Sequence, residues 1–194
     1  MGEVIASISV SLDGYFTGPN PGRGQGLGEG GEVLHRWLRG GTSSREGLAS
    51  NEIVREAFER AGAMVCGRDG YDTAERAWGP EPPFRVPVFV LTHRPRPDDV
   101  RTGTTFHFVD GFDAALAAAR DAAGGKDVAL HGGSAIRQAL AAGILDELNL
   151  QLVPVLLGGG RRLFEGRQGP PQELQLQRVL EAPGALHLRY RLGA

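Results

Sequence analysis

The chain has 194 residues, of which 41% are hydrophobic and 23% charged, and a net charge of −2. This composition fits one globular domain with a sizeable core, and its charge gives no general attraction to nucleic acid or to an anionic membrane. A single cysteine, Cys66, excludes an intrachain disulfide and any cysteine-based zinc spacing, and the five histidines are scattered at 35, 93, 107, 131 and 187. The N-terminal segment has no basic n-region and no run approaches transmembrane length. The expectation is a soluble, cytoplasmic protein with no bound metal.

In chain order, residues 3–12 alternate as a strand, with Val4, Ala6, Ile8 and Val10 on one face. Turn chemistry follows in Asp13-Gly14, and the glycines and prolines of 18–31 predict a long mobile loop. A short helix with Val33, Leu34, Trp37 and Leu38 on one side comes next. After a second loop, Arg39–Gly47, a helix is expected near 50–61, with Ser50 or Asn51 as its cap and Gly62 as its stop. Ala63–Gly67, Val86–Thr92 and Thr105–Val109 read as strands, and 112–123 as an alanine-rich helix ended by Gly124-Gly125. A strand runs into His131, a helix capped by Ser134 follows, and Glu147–Leu157 is strand-like again. Strands at 174–181 and 185–192, joined at Ala182-Pro183-Gly184, form a hairpin. Alternation of strands and helices with a terminal hairpin means an α/β fold, its sheet mostly parallel with an antiparallel edge. One domain, 1–194, accounts for the whole pattern.

The stretch His131-Gly132-Gly133-Ser134-Ala135-Ile136 leads from an apolar strand into a helix and offers bare N–H groups at a positive helix end, a phosphate-binding arrangement. Gly67-Arg68 and Thr92-His93-Arg94 stand at two other strand ends. A guanidinium there suits a phosphate, and the second triplet suits the additional 2′-phosphate of NADP. In a parallel sheet such ends open on one edge. Asp13, after the first strand, is the best proton donor on this reading, although an Asp-Gly pair also serves as a plain turn. Glu32, His131 and Trp78 are candidates for substrate contact, while Trp37 reads more naturally as core. Two glycine-rich segments are set aside. Gly26-x-Gly28-x-x-Gly31 lies in a loop rather than after a strand, and Gly158-Gly159-Gly160-Arg161-Arg162 lacks the ending of a P-loop.

Together, Ser11-Leu12-Asp13-Gly14, Gly67-Arg68, Val88 to Pro95, His131 to Ser134, Leu145 to Leu150 and Pro154 to Phe164 form a recognisable set. From Val4 to Leu192 the chain resembles the dihydrofolate reductase-like proteins related to the reductase domain of the bifunctional riboflavin deaminase-reductase. The resemblance implies a three-layer α/β/α sandwich, bound NADPH and a homodimer. By position it implies that Gly67 and Arg68 meet the cofactor phosphates and that Thr92, His93 and Arg94 take the 2′-phosphate. Gly132, Gly133, Ser134, Ala135 and Ile136 would cradle the pyrophosphate, across a Gly132–Gly133 bond that is cis in dihydrofolate reductase. The chain departs from its relatives at His131, where the riboflavin reductase has a glutamate. It departs again at the pterin-binding carboxylate, which Glu32 matches only loosely.

The function implied is an NADPH-dependent reductase of a small heterocyclic or ribosylaminopyrimidine-type substrate. The alternatives are an NADP-binding module without turnover and a true dihydrofolate reductase. A small molecule is the expected partner, with no nucleic acid or membrane.

Overall fold

The computed structural model describes residues 2–38, 52–94 and 96–193. The loop expected at Arg39–Gly47 and both candidate caps, Ser50 and Asn51, lie outside the described residues.

Six strands form the parallel centre of the sheet: β1 (Val4–Ser11), β3 (Ala61–Gly67), β4 (Val88–Leu91), β6 (Thr104–Val109), β7 (Asp127–His131) and β8 (Glu147–Val153). The hairpin of β10 (Leu174–Ala182) and β11 (Ala185–Leu192) adds to β8 antiparallel, and β5 (Asp99–Arg101) closes the other edge antiparallel to β6. The nine-stranded order is β10-β11-β8-β1-β7-β3-β4-β6-β5. A separate two-stranded ribbon pairs β2 (Tyr15–Thr17) with β9 (Arg161–Arg162).

Strand alternation sorts side chains to the two faces. On one face Val4, Ala6, Val10, Ala63, Val65, Val128 and Leu130 join the helices α3 (Phe112–Ala123) and α4 (Gly133–Ala141), which contribute Ala115, Leu116, Ala119, Ala135, Ile136 and Ala139. Small alanines let both helices sit close to the sheet, and each fully buried large aliphatic such as Ile136 contributes about 1.5–3 kcal/mol. On the other face Met64, Cys66, Val88 and Val90 pack with Tyr71 of α2 (Arg68–Trp78) and with Phe84 and Phe106. Burial pushes the Cys66 thiol up to about 12, which leaves it an inert core group. Helices on both faces make the expected three-layer α/β/α sandwich.

Several local expectations are corrected. Helix α2 falls where the pattern predicts no element, because its turns carry Gly70, Asp72, Thr73 and Glu75. It forms because Tyr71 is buried from it and because Gly67 stands at its N-cap. Helix α1 (Glu52–Arg60) stops before Ala61, so Gly62 lies inside β3. There it packs against α3, where a Cβ would fall 2.4 Å from the Ala123 carbonyl oxygen. The apolar turn at Val33–Leu34 is a 3₁₀ turn, Gly31–His35, rather than an α-helix. The 18–31 loop is long but tied, through Gly18 N to Leu27 O (2.7 Å) and Glu29 N to Pro19 O (2.8 Å). No helix among the described residues is long and apolar enough to cross a membrane.

The two ends of the sheet differ. At the amino end Arg60, the last residue of α1, donates to Asp127 (2.9 Å), Glu147 (2.7 Å) and Glu3 (3.3 Å), which fastens α1 to β7, β8 and the start of β1. The carboxyl end carries the glycine turns and the cleft.

Candidate active site

A cleft of about 1760 Å³ opens at the carboxyl ends of β3, β4 and β7 and runs beneath α1 along the sheet. Gly67, Arg68, Thr92, His93, Arg94, Gly132, Gly133 and Ser134 all line it. The structure thus gathers the three strand ends at one rim.

At β3 the chain turns directly into α2, and a Cβ on Gly67 would stand 3.2 Å from Ser134 Cβ, so glycine lets the starts of α2 and α4 meet. Arg68 is steered by Asp72, one helical turn on (2.7 Å), and donates to Thr92 Oγ1 (3.3 Å). Thr92 is buried, and its hydroxyl also accepts from the Arg94 amide (3.0 Å), which fixes the turn after β4. Arg94 itself has no carboxylate partner among the described residues. His93 is 92% exposed and pairs with Asp110 (2.7 Å).

At β7 the reversal is made by Gly132, whose φ of +84° suits glycine. Three expectations change here. No described peptide bond is cis, so Gly132–Gly133 is trans. Gly132, not Ser134, is the N-cap, and no side chain caps the helix; Ser134 lies one residue inside. Ala135 and Ile136 are fully buried, and the Ile136 amide is already bonded to Gly132 O (3.3 Å), so Ile136 contributes packing rather than a donor. The amides of Gly133, Ser134 and Ala135 remain as first-turn donors. Phe16 of β2 lies over Gly133 so closely that a Cβ there would meet its ring at 2.4 Å. Arg137 stands 5.8 Å from the same ring and donates to Arg162 O (3.2 Å).

Asp13 does not hold the position expected of it. Its carboxylate accepts from Ser11 Oγ (2.6 Å), Gly158 N (2.8 Å) and Leu157 N (3.1 Å), and it does not line the cleft. The Ser11 hydroxyl first, then the two amides, hold it down at about 2. A carboxylate so satisfied is ionised at neutral pH and has no proton to give. It clasps the loop after β8. Just beyond that clasp Gly160, at φ +122°, crosses β2 where a Cβ would fall 1.9 Å from Thr17 O.

His131 and Trp78 do reach the cleft, as does Glu32 on the exposed start of the 3₁₀ turn. Trp78 is stacked on Phe106 at 5.7 Å and sits edge-on to Phe84 at 5.2 Å, so the aromatic core fixes it, and its ring lies 5.9 Å from His131. His131 is exposed on the cleft floor, yet the surrounding walls desolvate it enough to pull its imidazole below the ordinary value. His35 also lines the cleft; burial first, and second the repulsion it would meet from His131 if both rings were protonated, take it down to about 4. Both rings are therefore neutral near pH 7. Trp37 is mainly core: it is buried, its Nε1 donates to Ser9 Oγ (3.0 Å), and it meets His187 edge-on at 4.8 Å.

Comparisons with known proteins agree with this architecture. A structure from Shewanella sp. PV-4, of a protein named for riboflavin biosynthesis, superposes with a TM-score of 0.74 at 23% identity, covering 100% of both chains. The diaminohydroxyphosphoribosylaminopyrimidine deaminase/5-amino-6-(5-phosphoribosylamino)uracil reductase of Thermotoga maritima gives 0.65 at 13% identity, over 99% of this chain and 57% of that one. Dihydrofolate reductase from Enterococcus faecalis, complexed with NADP(H), gives 0.60 at 14% identity over 100% and 98%. At such identities these likenesses show the fold. A search of curated proteins gives no match. Residues 3–188 match the RibD C-terminal domain, nearly the whole chain. The chain belongs to the RibD C-terminal domain family.

Proposed function

We propose that the chain is an NADPH-dependent reductase acting on a ribosylaminopyrimidine-type or similar small heterocyclic substrate through a C=N or C=O group. The observation that carries this reading is the convergence of Arg68, Arg94, Gly133 and Ser134 on one rim of the cleft. The residues fit a doubly phosphorylated dinucleotide. The first turn of α4 offers unpaired donors at the positive helix end for a pyrophosphate. Arg94, without a carboxylate partner among the described residues, suits a 2′-phosphate, and Thr92 and His93 stand beside it. A reduced nicotinamide, when bound, supplies a hydride. The chain's own part is to hold the reacting groups together and to keep water out.

The floor beside the glycine turn carries neutral His131 against Trp78. A neutral imidazole there can orient a substrate carbonyl or imine by one hydrogen bond without adding charge to the site. Glu32 lies at the cleft margin, where it can meet a polar substrate group. A homodimer belongs to the same reading: β10 is an edge strand on which Leu176 and Val179 are 54% and 52% exposed, and light scattering measures the assembly.

Equilibrium titration with NADPH and NADH, followed by turnover with a ribosylaminopyrimidine, tests the assignment. Arg94→Ala should weaken NADPH by about tenfold or more, the worth of one charge-assisted contact, and leave NADH nearly unchanged. Equal wild-type affinity for the two cofactors contradicts the 2′-phosphate site.

A further inference from the structure

The floor of the cleft carries an unusual pattern. β1 runs between β7 and β8 near the middle of the sheet, yet Ser7 on it is exposed. Its neighbours on the same face are Ser9 of β1, Asn149 and Gln151 of β8 and Arg189 of β11, and all but Ser9 and Ser7 lie on strands beyond β1. On the opposite face the same strands present Ala6, Ile8 and Val10, and Leu148, Leu150 and Leu152. A sheet face that only had to pack a helix would be apolar on both sides. The helix above this one, α1, buries no residue fully.

The register aligns this polar face with the reactive rim. Ser7 is paired with Asn149, and Asn149 with Arg189. Ala6 is paired with Leu130, so one residue further on Ser7 stands beside His131. One row therefore runs from His131, next to the glycine turn, through Ser7 and Asn149 to Arg189. In the next row Ser9 is paired with Gln151.

The hydrogen bonds within the floor leave a specific pair of groups unspent. Gln151 is buried, and its Nε2 donates to Ser7 Oγ (3.0 Å). That leaves the Ser7 hydroxyl proton as a donor, and the Gln151 Oε1 has no partner among the described residues. The guanidiniums beside them are already neutralised: Arg189 bonds Glu56 and Asn149, and Arg60 bonds Asp127, Glu147 and Glu3. At Ser7 and Gln151 the floor thus offers a donor and an acceptor side by side, in a setting without spare positive charge.

The geometry points to Ser7 and Gln151 as the specificity-determining pair of this cleft, reading the lactam edge of an uncharged heterocycle, with Ser7 donating to the ring carbonyl and Gln151 accepting from the adjacent ring N–H. The assignment rests on the reductase reading above and adds to it which edge of the substrate is recognised, and by what. A donor–acceptor pair covered by a ligand rejects an analogue that lacks the matching edge, because the two groups then lose water and gain no partner.

The test uses two probes, 5,6-diaminouracil, which has the lactam edge, and 2,4-dimethoxypyrimidine, which lacks it. Binding of each is measured by calorimetry on the wild-type chain, Ser7→Ala and Gln151→Leu, with NADPH titrated separately into the same samples and thermal unfolding used to confirm the fold. The expected result is a loss of about tenfold in 5,6-diaminouracil affinity in either variant, a similar deficit for the dimethoxy compound on the wild type, and NADPH affinity within about twofold throughout. Wild-type probe affinity in both folded variants, equal affinity for the two probes, or no binding of 5,6-diaminouracil to the wild type overturns the assignment. Failure of the reductase reading looks different: NADPH does not bind, while the probe measurements still decide the role of the pair.

Discussion

On one face of β1, Val4, Ala6 and Val10 are buried with α3 and α4; on the other, Ser7 and Ser9 face a cleft with Asn149 and Gln151 beside them. The two faces share a backbone, so period-two alternation alone separates a packing surface from a recognition surface. The apolar face is packed into the core, and the polar face carries side chains that can meet a ligand.

That contrast can be broken hardest on the packing side. Ile136→Ala, at a fully buried position, should lower unfolding free energy by about 2–5 kcal/mol, read by urea denaturation. An effect below about 1 kcal/mol would mean that α4 is not fastened to the sheet as described.

A smaller effect comes from His35. Its folded-state value near 4 lies below the ordinary 6.5, so between those pH values the unfolded chain takes up a proton that the folded chain refuses. Stability should therefore be highest above pH 6.5 and decline as pH falls toward 4. His35→Gln should flatten part of that decline in thermal unfolding followed across the window. An unchanged slope would remove His35 as a contributor.

The smallest expected effect belongs to Asp13. Its carboxyl is held at about 2, below the ordinary 3.8, so its stabilisation is complete above 3.8 and lost as pH falls toward 2. Asp13→Asn should melt slightly lower than wild type at neutral pH, and the gap should close in acid. A catalytic proton donor would instead leave melting unchanged and abolish turnover.

Much of the scaffold is legible in the sequence because apolar alternation and glycine stops mark it. β1, β7, α3 and the terminal hairpin announce themselves in this way, and the strand ends at Gly67, Thr92 and Gly132 follow from them. Helix α2 is hidden by its polar turns, although Tyr71, Ala74 and Trp78 recur at helical spacing and are the signal that could have found it. Asp13 misleads because an acid after a first strand looks catalytic until the loop at Leu157 and Gly158 returns from 144 residues away to occupy it. The polar floor is missed for a related reason. Ser7, Ser9, Asn149 and Gln151 read as ordinary outward positions of half-buried strands, and only the sheet order places them inside a cleft.

The central claim is that separate chain turns grip one dinucleotide at a shared rim. Amide hydrogen exchange with and without NADPH measures this directly. The account predicts simultaneous protection at the start of α2, at Thr92–Arg94 and at Gly133–Ala135, with the Asp13 turn unchanged. Protection confined to one of these segments, or appearing only elsewhere in the chain, would contradict it.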